Sequence, residues 1–245
     1  MNDTTLDKMK KMNLHGMHRA FKTSIESGKM EDYTADEMVS TLIESESDDR
    51  RNRGIVRQLN NAKFRYKASL EELNYGTDRN LDKNQIMRFG DCTFIGKHEN
   101  ILITGSTGIG KSYIASAIGH QACSLNHKVM YHNTAKLMGK LKIAKGEGSY
   151  VREIAKIERQ SLLILDDFGL QPFDQQSRSI LMEIIEDRHG KASTIITSQV
   201  PVNKWYDIIG EQTVADAIMD RIIHQAHRLE IKGESMRKKD ARIAA

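Results

Sequence analysis

The chain has 245 residues, 39% of them hydrophobic, and a formal net charge of only +4, so it can bury a sizeable core in one large or two small domains. Its two cysteines, Cys92 and Cys123, are far apart and lack partner spacing, which argues against a disulfide scaffold or a thiolate zinc site and suits a reducing compartment. No apolar run is long enough to span a membrane and Met1 to Lys11 lacks a signal-peptide core, so a cytoplasmic location without a membrane partner is expected.

Residues 1–90 read as helical. Leu14, Met17, Phe21 and Ile25 recur at helical spacing. Thr34 and Glu37 form a capping-box pattern that opens a second helix bearing Met38, Val39, Leu42 and Ile43. A third helix is predicted from about Asp48 to Leu73, with Ile55, Leu59, Ala62 and Tyr66 on its apolar side. It carries Arg50, Arg51, Arg53, Arg57, Lys63, Arg65 and Lys67 with no acid between them. Such a run fits contacts to nucleic-acid phosphates, with a solvated helix face as the bland alternative.

From residue 91 the pattern alternates strands and helices, which implies a mostly parallel sheet flanked by helices. Predicted strands are Ile101–Thr104, Val129–His132, Leu162–Leu165, Thr194–Thr197 and Arg228–Ile231. The first leads into Gly105, Ser106, Thr107, Gly108, Ile109, Gly110, Lys111 and Ser112, a match to G-x-x-x-x-G-K-[ST] that opens a helix at Tyr113. Glycines let successive backbone N–H groups face phosphate oxygens, and the helix start adds partial positive charge. Lys111 suits the β- and γ-phosphates and Ser112 a Mg²⁺ ion, so a nucleoside triphosphate is the expected ligand. The strand at Leu162 ends in Asp166 and Asp167, of which Asp166 suits Mg²⁺ and Asp167 the polarisation of an attacking water.

Lys136, Lys140, Lys142 and Lys145 form a second basic stretch after the second strand, a further candidate for DNA contact. No run reads as a groove-reading motif, so any contact should be to backbone and shape, with little sequence preference.

These motifs resemble the AAA+ ATPases, and within them the IstB-like transposition helpers and DnaC-like helicase loaders. The IstB-like resemblance covers nearly the whole chain, through Leu14-His15-Gly16-Met17, Glu99-Asn100-Ile101-Leu102, Leu165-Asp166-Asp167-Phe168-Gly169-Leu170 and Gly233-Glu234-Ser235-Met236-Arg237. It implies an α/β P-loop core over 91–245, a small all-helical domain over 1–90 for DNA or partner binding, and no large C-terminal lid. It also implies assembly as a homo-oligomer on duplex DNA beside an IstA-like transposase, with ATP hydrolysed at subunit interfaces. A sensor hydroxyl is then expected at Ser198 in preference to Thr197, an arginine finger at Arg221, and a second sensor at Arg237. The alternative for Arg221 is an ion pair with Asp220 or Asp216. Asp167 stands where the AAA+ pattern usually has Glu, and its shorter side chain implies slow turnover. The competing functional readings are a replicative helicase loader, a small-molecule kinase and a nucleotide-gated binding module.

Overall fold

The computed structural model describes residues 2–28, 32–76 and 79–236. Its helices are α1 (Asn2–Lys11), α2 (His15–Glu26), α3 (Ala35–Ala62), α4 (Lys83–Gly90), α5 (Thr93–Gly96), α6 (Lys111–Ser124), α7 (Thr134–Gly146), α8 (Tyr150–Glu158), α9 (Gln175–Arg188), α10 (Trp205–Ile209) and α11 (Gln212–Ile223). The strands are β1 (Asn100–Gly105), β2 (Val129–Asn133), β3 (Leu162–Phe168), β4 (Ser193–Ser198) and β5 (Ala226–Ile231). All five predicted strands are present, extended by one to three residues. The chain divides into two compact units, Met1–Arg57 and Gln58–Ala245.

In the first unit the capping box forms as the sequence implies. The Thr34 backbone N–H donates to Glu37 Oε2 at 2.8 Å, and the Glu37 N–H donates to Thr34 Oγ1 at 3.3 Å. The helix it opens does not stop before Asp48. One continuous helix, α3, replaces the two that were expected, and it ends at Ala62 rather than Leu73. Its polar middle is explained by what it buries. Glu46 is 4% exposed and Asp49 6%. Glu46 Oε2 accepts the N–H groups of Gly16 and Met17 at 2.7 and 3.3 Å, which caps the start of α2, where backbone donors have no helical partner. Gly16 permits this approach, since a Cβ there would lie 2.1 Å from the Ser45 carbonyl oxygen. Burial acts to raise the Glu46 carboxyl, but Arg50 and the two amides outweigh it and leave it below its ordinary range.

The second unit begins thirty-odd residues earlier than the expected boundary near residue 90. Ala62, Leu70, Leu73, Leu81, Ile86 and Phe89 are buried in the same cluster as Ile101, Ile103 and Ile164. The sheet is parallel, with order β2-β3-β4-β1-β5. Along β1, Ile101 and Ile103 face one cluster and Leu102 the other. Both faces are covered by helices, which is why the strands are unbroken apolar runs. The order matters for the site. β4 lies between β1 and β3, so its C-terminal residues stand between the glycine loop and the aspartate pair. Register shifts between Leu165 and Phe168, and Asp167 takes a left-handed φ of 57° there.

Candidate nucleotide site

The loop at the end of β1 is shaped by its glycines. Gly105 has φ 145°, and a Cβ there would lie 2.2 Å from the Ile231 carbonyl oxygen on β5. Gly110 has φ 97° and serves as the N-cap of α6, a conformation a side chain disfavours. Ile109 is buried and anchors the loop in the core. Lys111 is 6% exposed, and its Nζ donates to the carbonyls of Gly105 and Ser106, both at 2.8 Å. Burial pushes its ammonium down, with Asp167 and Asp166 opposing.

Asp166 is fully buried, and its carboxylate gathers donors from three elements and from the segment after α3. Its Oδ1 accepts Ser112 Oγ at 2.7 Å and the Thr197 hydroxyl. Its Oδ2 accepts the Tyr131 hydroxyl and Arg65 Nη1, the latter at 3.4 Å. Burial and the bond donated to Asp166 both raise the Tyr131 phenol, which keeps it a neutral donor. Asp167 Oδ2 accepts Arg65 Nη1 at 3.2 Å and Asn133 Nδ2 at 3.1 Å, while its N–H donates to Thr197 Oγ1 at 3.2 Å. Loop and Asp167 border a cavity of about 470 Å³, also lined by Tyr66, Tyr113, Gln199 and Met236, with Asp166 buried behind its wall. The Tyr113 hydroxyl donates to Glu72 at 2.7 Å.

The donor set fits a hard cation. Ser112 Oγ, Asp166 and Asp167 offer oxygen alone, beside a loop suited to phosphates. Among the described residues no three His, Cys, Asp or Glu side chains come together to hold a metal.

Several expected residues are placed differently. Ser198 is not the hydroxyl at the carboxylates. Its Oγ donates to the Phe168 carbonyl at 2.7 Å and accepts the Val200 N–H at 3.0 Å, so it shapes the turn after β4. Thr197 faces Asp166 instead, because adjacent residues of a strand point to opposite sides. Gln199, one residue beyond β4, reaches Thr107 in the loop at 2.5 Å. Arg221 pairs with Glu186 on α9 at 2.7 Å, rather than with Asp220 or Asp216, and caps the Ala217 carbonyl at 2.9 Å. Its own carbonyl lies against Asn100, at the start of β1 and thus at the sheet edge opposite the loop. Arg237 lies outside the described residues, although Met236 before it donates its N–H to Gly108 at 2.9 Å.

The basic residues also separate. Arg65, expected to face DNA, lines the nucleotide cavity. Arg50 pairs with Glu46 at 2.7 Å and Arg53 with Asp49 at 2.5 Å, so acids one turn upstream balance a run that is acid-free only from residue 50. Lys140 pairs with Glu153, Lys142 with Asp174, and Lys145 lies over the Tyr150 ring at 4.5 Å. Arg51, Arg57, Lys63, Lys67 and Lys136 are exposed, with no acidic partner among the described residues. Arg79 had no sequence signal. It is 6% exposed, and its Nη2 holds the Ile109 carbonyl at 2.5 Å, bracing the loop from outside.

A family model described as IstB-like ATP binding protein matches residues 7–244. The chain belongs to the IstB-like ATP-binding family. It is 42% identical over 238 residues to an insertion sequence ATP-binding protein, y4pL, of Sinorhizobium fredii, covering 97% of each chain. It is 36% identical to an ATP-binding protein of insertion sequence IS1162 from Pseudomonas fluorescens, covering 82% of this chain and 87% of that one. Among solved structures it resembles the DnaC helicase loader with a TM-score of 0.60 and 22% identity, over 68% of this chain and 98% of that one. At that identity the likeness concerns the fold alone, a parallel sheet flanked by helices with the glycine loop and aspartates at one edge. Among the described residues, no helix of this IstB-like chain is long and apolar enough to cross a membrane.

Proposed function

We propose that this IstB-like protein is a Mg²⁺-dependent ATPase that assembles on duplex DNA and acts there beside a transposase. The observation that carries the ATPase reading is the convergence of Lys111, Ser112 and Asp167 on one cavity, with buried Asp166 and Thr197 hydrogen-bonded to Ser112 and Asp167 from behind. Ser112 and Asp166 would hold Mg²⁺, which neutralises charge on the phosphates when bound. Lys111 binds the phosphates electrostatically, and its burial strengthens that attraction. Asp167 is the residue that takes the proton of the attacking water at its carboxylate. Thr197 orients both aspartates, and Gln199 lines the same cavity, bonded to Thr107.

The insertion-sequence relatives support the partnership with a transposase, and exposed Arg51, Arg57, Lys63, Lys67 and Lys136 support contact with DNA phosphates. For Arg221 to serve as the arginine finger of a homo-oligomer with nucleotide at its interfaces, it would have to exchange Glu186 for the neighbouring subunit's site. The test combines size and turnover. Wild type should form large assemblies on duplex DNA with ATP, and Asp167→Asn should form them without hydrolysing ATP. No increase in size on DNA refutes the assembly reading, and turnover that persists in Asp167→Asn places the base elsewhere.

A further inference from the structure

Arg65 follows α3 in a segment that is neither helix nor strand. Lys63 breaks the helix with a left-handed φ of 56°. Phe64 pins the segment to α6, with its ring 4.4 Å from that of His120 and against Gly119, where a Cβ would meet the ring at 2.5 Å. From this anchor the guanidinium lies 5.5 Å from the Tyr66 ring centroid and reaches the end of β3. Its Nη1 lies 3.4 Å from Asp166 Oδ2 and 3.2 Å from Asp167 Oδ2. The Arg65 side chain is 43% exposed, whereas that of Asp166 is fully buried.

Two adjacent carboxylates at one sheet edge repel each other when both are ionised. The Ser112, Thr197 and Tyr131 hydroxyls and the Asn133 amide, which also donate to the two carboxylates, are neutral. Lys111 is turned to the loop carbonyls. Arg65 is therefore the cation hydrogen-bonded to both aspartates, and an arginine cannot discharge by losing its proton. A divalent ion that takes these carboxylates as ligands competes with the guanidinium for the same oxygens. The exposure of Arg65 gives it a path to water when it is displaced.

We infer that Arg65 is a built-in counter-ion of the Asp166–Asp167 pair which a divalent cation must displace, so that Arg65 sets the metal concentration at which the nucleotide site loads. The inference rests on the Mg²⁺-nucleotide reading of the site. Arg65 acts through the aspartates and is a positioning residue.

The test is a titration of the full chain with Mn²⁺ in the presence of saturating ADP, with free Mn²⁺ counted by electron paramagnetic resonance. Arg65→Gln should bind Mn²⁺ about threefold to tenfold more tightly than wild type, the range expected for loss of a partly exposed charge-assisted pair. Arg65→Lys should fall between them, since an ammonium lacks the planar fork. In thermal melts without metal, Arg65→Gln should unfold at a lower temperature than wild type and gain more from added Mg²⁺. Equal or weaker Mn²⁺ binding by Arg65→Gln overturns the inference. Should that variant fail to fold, an Arg65→Lys titration identical to wild type overturns it as well. Absence of ADP-dependent Mn²⁺ uptake by wild type would instead refute the nucleotide-site reading itself.

Discussion

Replacing Thr197 with Val removes one hydroxyl and keeps the outline of a fully buried side chain. Two interactions disappear. Asp166 Oδ1 loses a donor, leaving Ser112 Oγ at 2.7 Å on that oxygen, and the Asp167 N–H loses the acceptor it had at 3.2 Å. A hydrogen bond to a charged group contributes about 1.5–3 kcal/mol, and a buried donor left without a partner costs about 1–3 kcal/mol. The two losses share one atom and do not add fully, so an overall loss of about 2–4 kcal/mol is expected. Part of it should appear as a lower urea midpoint at unchanged slope. The rest should appear in turnover, because Asp167 sits at φ 57° and loses the bond that holds its backbone there. ATP hydrolysis by Thr197→Val should fall by at least about tenfold, a loss of about 1.4 kcal/mol in transition-state stabilisation. Ser198→Ala is the control. Its hydroxyl joins the Phe168 carbonyl to the Val200 N–H, away from both carboxylates, so it should lose stability while turnover stays within about threefold. A slow Ser198→Ala beside a wild-type rate for Thr197→Val would refute the assignment.

Other outcomes follow from the same contacts. Lys111→Ala should weaken ATP binding by about tenfold or more, measured by equilibrium fluorescence titration, and unchanged affinity would reject the loop as the phosphate site. Reversing the charge of Arg51 and Arg57 should weaken duplex binding and reduce the salt slope by about 1.8 for two phosphates. The same change at Arg50 and Arg53 should act mainly on helix stability, through Glu46 and Asp49, and fluorescence anisotropy against salt separates the two pairs. Gly16→Ala forces a Cβ to within 2.1 Å of the Ser45 oxygen and should destabilise the first unit by about 1–3 kcal/mol in denaturant melts. The folded Glu46 carboxyl lies below its ordinary value of 4.5. Its contribution to stability is therefore complete above that value and is lost as pH falls through the lowered one. Glu46→Gln should flatten this acid-side loss, followed by circular dichroism as the pH is lowered, and an unchanged profile would contradict the role given to Glu46.

The strands, the phosphate loop and Asp166-Asp167 were legible in the sequence because each rests on a local signal: apolar runs covered on both faces, glycines at fixed spacing, and carboxylates at a strand end. The capping box at Thr34 was legible for the same reason. What lay beyond it was not. α3 runs through Glu46, which accepts the distant Gly16 N–H, and Asp49, which accepts the distant Arg19 guanidinium, so the polar stretch resembled a boundary. Thr197 and Ser198 both offer a hydroxyl at the end of β4, and only the pairing of β4 between β1 and β3 decides which of them meets Asp166. Arg65 belonged to a basic run until the break at Lys63 turned it from a helix face to the carboxylates. Arg79 reaches Ile109 across 30 residues and left no mark in local spacing. Local chemistry is written in neighbouring residues. Which side chain meets a buried charge depends on strand order, helix ends and close approaches, and those exist only once the chain has folded.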